Sequence, residues 1–312
     1  MKILKPVFYL TVIALVCSFG NTATAQTTDT TVVNDNFADG DRSDTGTEAA
    51  EADWFGSSNA NAIESNAGSV GLVSGSSGRQ IHAIFDTISL NNVGDHLCLS
   101  LTFQTPATVS AGSDDLRFGI FDHAGRGAVG GALFQDTSYS TTNPNADYSG
   151  LEGYFSEFDV ESSDPASDYE IRRSNPSTSG RLLATTGGFT SLPGSSGPDV
   201  GYAFVADTEY TITYEILHNA AGGLDITVGG LGGSDLTLTD AAPGTFDFNM
   251  IGLGASTDAF GTSNTVGDAD NGIDITNLTI VSKLVTAIPE PGSATLLLSG
   301  LFSLGLIRRR NS

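Results

Sequence analysis

The chain has 312 residues, room for one large domain or two small ones, and a single domain of this size buries roughly three quarters of its unfolded surface. It carries 13 Lys and Arg against 36 Asp and Glu, a net charge of −23. This excludes a nucleic-acid binder working through a basic face and makes an anionic membrane surface an equally poor partner. Only 16% of residues are charged and 38 are glycine, against about 25% and about 7% in an average chain, which argues against helical bundles and coiled coils.

The first segment reads Met1-Lys2-Ile3-Leu4-Lys5, then an apolar run from Val7 to Gly20, then Asn21-Thr22-Ala23-Thr24-Ala25. A positive start, an apolar centre and an Ala23-x-Ala25 exit are the three parts of a secretory signal peptide, cut by signal peptidase after Ala25. The run falls short of the about 20 residues of a comfortable membrane span. Leu15-Val16-Cys17 loosely mimics a lipoprotein acylation site, with Val16 bulky where that site takes a small residue. The folded domain is predicted over 26–287. It is more acidic than the whole chain, because Lys2, Lys5, Arg308, Arg309 and Arg310 lie outside it with only Glu290 beside them.

Within this domain apolar residues recur with period two. Leu97, Leu99, Leu101 and Phe103 share one face of a predicted strand. The pattern repeats in Leu116, Phe118 and Ile120, in Tyr210, Ile212, Tyr214 and Ile216, and in Leu224, Ile226 and Val228. Further strands are predicted over 80–90, 153–160, 168–173, 247–255 and 272–282. Gly75-Ser76-Ser77-Gly78 and Pro193-Gly194-Ser195-Ser196-Gly197-Pro198 read as turn-rich connectors, and Ala220-Ala221-Gly222-Gly223 as a hairpin turn. No stretch has a helical period, and no repeat of fixed length occurs. The expectation is an all-β chain, a single antiparallel β-sandwich of jelly-roll type, with a signal helix before it and a short apolar helix after it.

Cys98 is the only cysteine inside the domain, so no internal disulfide forms, and its strand context predicts a small buried apolar residue. His82, His96, His123 and His218 show no close ligand spacing, which argues against zinc. No nucleophile elbow and no phosphate loop occur.

The order of pieces carries a resemblance. Asn34-Asp35-Asn36-Phe37-Ala38-Asp39-Gly40-Asp41-Arg42 opens the domain and Asp53-Trp54-Phe55 follows. Leu116-Arg117-Phe118-Gly119-Ile120-Phe121-Asp122 lies in the middle, and Ile273-Asp274-Ile275-Thr276-Asn277-Leu278-Thr279-Ile280 closes it. This resembles the concanavalin A-like (laminin G-like) jelly rolls of exported bacterial proteins. The resemblance implies that the first and last strands pair, which hides a sheet edge.

Two groups of acids are candidate sites. In Glu157-Phe158-Asp159-Val160-Glu161 the three acids point to one face of a strand, with Phe158 and Val160 on the other. The segment is similar to the Glu-x-Asp-x-Glu strand of family 16 glycoside hydrolases. By that resemblance Glu157 is the nucleophile, Glu161 the acid/base and Asp159 their tuning partner. The outer Cα atoms of a regular strand would stand about 13 Å apart, while retaining hydrolysis needs carboxyls about 5–5.5 Å apart, so the side chains would have to converge. A solvated strand face and a cation-binding face are the other readings. The second group is Asp35, Asp39 and Asp41 near the start with Asp270 and Asp274 near the end. If the end strands pair, these acids come together, either as solvated turns or as ligands of a structural calcium ion, which takes six to eight oxygens.

The last segment contains Ile288-Pro289-Glu290-Pro291-Gly292, an apolar stretch from Ala294 to Ile307, and Arg308-Arg309-Arg310. The prolines bar helix immediately before the stretch, and the arginines favour the cytoplasmic side of a membrane. This resembles the PEP-CTERM sorting signal of exported bacterial proteins, a tail also labelled the C-terminal domain of ice-binding proteins. The resemblance implies recognition by an exosortase, transient anchorage in the inner membrane, and release to the cell surface or matrix of a bacterium that makes exopolysaccharide. The functional expectation is a non-catalytic surface or extracellular-matrix protein that binds exopolysaccharide or another glycan. A family 16-like hydrolase and a purely structural coat protein are the alternatives.

Overall fold

The computed structural model describes residues 26–40, 42, 50–56, 63–66, 68–73, 79–109, 115–123, 151–160, 170–174, 183, 189–196, 204–231, 235–261 and 272–286. Every regular element among them is a strand. The first half supplies β1 (Gln26–Asp35), β2 (Asp53–Gly56), β3 (Ile63–Asn66), β4 (Ser69–Val73), β5 (Arg79–Ser89), β6 (His96–Gln104) and β7 (Asp115–Asp122). The second half supplies β8 (Glu152–Asp159), β9 (Glu170–Ser174), β10 (Phe189–Ser196), β11 (Glu209–His218), β12 (Leu224–Gly229), β13 (Leu236–Asp240), β14 (Asp247–Ala255) and β15 (Gly272–Thr286).

The strands form two antiparallel sheets, the all-β sandwich that the alternation predicts. One has the order β13-β12-β11-β6-β15-β4-β3, with β1 also on β15, and the other the order β10-β9-β8-β7-β14-β5-β2. The expected pairing of first and last strands is present, and Ser282 Oγ donates to the Thr30 carbonyl across it. Residues 27–285 form one compact unit.

Alternation builds the core. The odd-numbered apolar residues of β6 are buried, and its register sets Leu101 beside Ile212 of β11 and Leu278 of β15. Facing them from the other sheet are Phe118, Tyr154, Phe158, Phe248 and Leu253. Phe118 meets Tyr214 edge to face at 5.5 Å, and Ser156 Oγ and the Tyr214 hydroxyl share a buried 2.6 Å hydrogen bond between the sheets. Two bulges reset the alternation. In β15 the irregularity between Ile275 and Asn277 lets Ile275 and Leu278 both face inward, and in β14 the one between Phe248 and Met250 does the same for Phe248 and Ile251.

The seven-stranded sheet also buries its outer face. There Phe121, Phe155 and Met250 pack with Leu151, Leu183 and Phe189. Gly119 makes room for them, since a Cβ at this position would come within 2.7 Å of both the Phe121 ring and the Phe155 Cβ.

The predicted hairpin at Ala220–Gly223 joins β11 to β12. Its turn is tied by Asn219 N–H to the Gly223 carbonyl at 2.9 Å, with Gly222 at φ 84°. Residues 193–196 depart from expectation, because they continue β10 instead of forming a connector. That strand is the last of its sheet and its ladder breaks between Ser191 and Ser196, an edge position where proline is tolerated. The connector at 75–78 lies outside the described residues.

Candidate functional site

The acid strand is β8. Tyr154, Ser156 and Phe158 face the core, so Glu157 and Asp159 point outward as the alternation requires. Glu161 lies outside the described residues. The register aligns Arg117 of β7, Glu157 and Glu170 of β9 in one row. Arg117 donates to Glu157 Oε1 through Nε at 3.1 Å and Nη2 at 3.0 Å, and to Asp115 Oδ2 at 2.6 Å. Arg172 Nη2 lies 2.7 Å from Glu170 Oε2 and 3.3 Å from Glu157 Oε2, the latter within ion-pair distance but off the hydrogen-bond direction. Burial pushes the Glu157 carboxyl above its ordinary range. Arg117 opposes that shift, Asp115 adds to it and Arg172 opposes it again. The result is a lattice of three carboxylates and two guanidiniums in which Glu157 is the shared centre. Asp159 is buried.

Of the predicted calcium ligands, Asp35, Asp39 and Asp274 are among the described residues. Asp35, at the end of β1, is 3% exposed. Its Oδ1 accepts the Phe37 N–H at 3.0 Å and its Oδ2 the Trp54 indole N–H at 3.4 Å, so its oxygens hold the corner between β1 and β2. Burial raises its pKa, with the Phe37, Trp54 and Ala52 donors pulling the other way. Asp39 lies in the turn that follows, and Asp41 and Asp270 fall outside the described residues. Asp274 has a different neighbour. The β3–β4–β15 register sets Glu64 opposite Gly71 and Gly71 opposite Asp274. A Cβ on Gly71 would lie 2.7 Å from Glu64 Cγ and 3.1 Å from Asp274 Oδ1, so glycine admits both carboxylates to one place. Burial, and then Glu64, push the Asp274 pKa up. Two carboxylates over a glycine have the hard-oxygen chemistry that calcium takes, whereas Asp35 is committed to N–H donors.

A polar cleft of about 290 Å³ opens where β8, β9 and β10 meet the turn after β13. It is lined by Glu152, Gly153, Arg173, Ser174, Thr190, Ala242 and Gly244. Arg173 Nη1 donates to both oxygens of Asp240, at 3.2 and 3.0 Å, and to the Ala242 carbonyl at 2.8 Å. The Tyr154 hydroxyl donates to Asp240 Oδ2 at 2.9 Å. Burial beside Asp240 pushes that hydroxyl far above the usual tyrosine range. Glu152 is raised by burial and by Asp122, with Arg173 opposing. No motif pointed to this cleft. Its one signal in the sequence is charge scarcity: residues 182–282 contain no Lys or Arg, so a buried acid there, Asp240, must draw its counter-ion from another strand.

The histidines divide. His82 is buried against Phe55 with ring centroids 5.5 Å apart, and His218 Nδ1 lies 2.9 Å from the Leu90 carbonyl. Burial lowers His123 and His96, with Asp122 opposing in the first case and Glu215 in the second. Cys98 departs from expectation. It is half-buried and shares the outward face of β6 with His96, because Leu97 and Leu99 take the core side. Across the β6–β11 pairing, one ligand atom each of His96, Cys98 and Glu215 lies within 4.8 Å of the others.

No protein-family model matches the sequence, and no curated protein matches it. In structure the chain is similar to the Emp46p carbohydrate recognition domain in its metal-free form, with TM-score 0.46 and 10% identity over 80% of this chain and 94% of that one. It is also similar to the VIP36 exoplasmic/lumenal domain in a Ca2+/Man2-bound form, at 0.42 and 11% over 84% and 91%. A third is the metal-free lectin I-B4 from Griffonia simplicifolia, at 0.39 and 15% over 82% and 100%.

Proposed function

We propose that this protein is an exported, non-catalytic glycan-binding module of a bacterial cell surface or extracellular matrix. The carrying observation is the cleft at the β8–β9–β10 end of the sandwich. It offers a guanidinium held in place by Asp240, a carboxylate on Glu152, and the exposed hydroxyl of Thr190. Gly153 and Gly244 add backbone without side chains. A polyhydroxylated ligand needs this mixture of donors and acceptors. Glu157, engaged by two guanidiniums, is suited to fixing β8 against β7 and β9. The test is retention of the purified chain on a panel of exopolysaccharides. Saturable retention, weakened in Glu152→Gln and Thr190→Ala, is expected; no retention on any glycan overturns the reading. Sugar release that disappears in Glu157→Gln would assign hydrolysis to β8 instead.

The address belongs to the same proposal. The domain at 26–287 is delivered by the signal peptide ending at Ala25 and held by the tail from 288, with exosortase acting near Pro289-Glu290-Pro291 and Arg308, Arg309 and Arg310 stopping transfer. Alanine at 289–291 is expected to keep the protein in the inner-membrane fraction of an exosortase-bearing host. Unchanged release would overturn the assignment. Calcium, where bound, is held at Asp274 with Glu64 and contributes stability.

A further inference from the structure

We propose that His96, Cys98 and Glu215 form a binding site for a divalent ion of the zinc class on the outer face of the eight-stranded sheet. Strand geometry assembles it. Positions 96 and 98 of β6 lie on one face, fixed there by the burial of Leu97 and Leu99 on the other. The antiparallel register with β11 places Glu215 directly opposite Cys98. One ring nitrogen, His96 Nε2, stands 3.6 Å from Cys98 Sγ and 3.7 Å from Glu215 Oε2, and the three ligand atoms all lie within 4.8 Å of one another.

These separations fit a tetrahedral ion. Bonds of about 2.3 Å to sulfur and about 2.0–2.1 Å to nitrogen or oxygen give ligand–ligand edges of about 3.3–3.6 Å. An ion therefore seats with movements of a few tenths of an ångström at the nitrogen edges, and the Cys98–Glu215 edge, within 4.8 Å, closes through the exposed Glu215 side chain. The donor set selects the metal. Nitrogen with sulfur is taken by zinc, cobalt and their neighbours, while calcium and magnesium take oxygen alone. Thiolate and carboxylate together balance the two positive charges, and the thiol gives up one proton as its sulfur binds. Three protein ligands leave a fourth position for water or for a donor from outside the chain.

Two further charges face the cluster. Asp29 of β1 adds negative potential, and Lys283 of β15, register partner of His96, adds positive potential at both His96 and Cys98. The lysine stands where an incoming cation is repelled, on a stem long enough to swing away. It is the competitor whose removal strengthens the site.

The test uses the full chain with Cys17→Ser, so that Cys98 is the only thiol, titrated with cobalt(II) in excess calcium to occupy carboxylate-only sites. One cobalt per chain with a thiolate-to-cobalt charge-transfer band is expected. Cys98→Ser abolishes the band, His96→Gln and Glu215→Gln each weaken binding by about tenfold or more, and Lys283→Met tightens it. Glu215 is more than half exposed, so that variant tests the site with the core untouched. No band in the intact chain, a band that survives Cys98→Ser, or affinity indifferent to His96, Glu215 and Lys283 overturns the proposal.

Discussion

The two outer faces of this sandwich are built by opposite rules. On the seven-stranded sheet, eight of the nine residues of β14 are buried, and the outward Phe121, Phe155 and Met250 are covered by Leu151, Leu183 and Phe189. Beside that cluster lies the lattice of Arg117, Glu157 and Arg172. On the eight-stranded sheet, burial alternates strictly along β6. The outward rows there are hydroxyls and single charges, with Thr102 and Thr211 oxygens 2.9 Å apart and Thr227 and Thr237 oxygens 2.8 Å apart. A sheet covered on both sides holds its charges in lattices, because a lone buried charge is too costly. A sheet wet on one side leaves its polar groups to compete with water, and so leaves them available.

The largest expected contrast is in packing. Phe155→Ala should cost about 3–5 kcal/mol in urea unfolding, while Thr211→Ala on the other sheet should stay within about 0.5 kcal/mol. Similar values for the two would erase the distinction between the faces. Next comes charge. Arg117→Met leaves Glu157 with one partner in a mostly buried lattice and should cost about 2 kcal/mol, discounted from the about 3–5 of a fully buried pair. Glu215→Gln, at an exposed pair, should cost less than about 1 kcal/mol.

A smaller effect sharpens the comparison through calcium. If Asp274 and Glu64 hold an ion, chelation should lower Tm by about 2–4 °C for each kcal/mol of binding. Asp274→Asn should remove that response, and an unchanged melt in the wild type would dismiss the ion. The smallest effect is in pH, read in chelator. Asp35, Glu157 and Asp274 all have pKa values raised by burial. The native state therefore binds more protons than the unfolded chain from the ordinary carboxyl values upward. Their contribution is fully present below those values and lost as pH rises through the raised ones, so Tm should fall along that interval. Asp274→Asn should flatten the slope, and a Tm that climbs with pH would contradict the sign.

The alternation that made the eight-stranded sheet legible is the signature of a face left to water. β6, β11 and β12, with the hairpin at Gly222, follow from it directly. The strands that were given no range, β1, β2, β3, β4, β10 and β13, lie at or near sheet edges or off the main strand order, where a weak pattern decides little. The continuous burial of β14 was legible only as an apolar run. Among the sites, the sequence placed Glu157 and Asp159 on the correct face. It could not place Arg117 or Arg172 beside them, since those partners come from neighbouring strands. Glu64 was missed for the same reason, and so was Glu215, which reaches Cys98 only through the β6–β11 register.

The closure of the fold by β15 bears on how the protein withstands force. This strand is bonded on one flank by β6 and on the other by β4 and then β1. Tension entering behind Val285 cannot peel it away one ladder bond at a time from a free edge. It must shear two ladders at once, along their length. A domain tethered through its C-terminal end would carry that load on a strand clamped along both flanks, with β1 serving as part of the clamp.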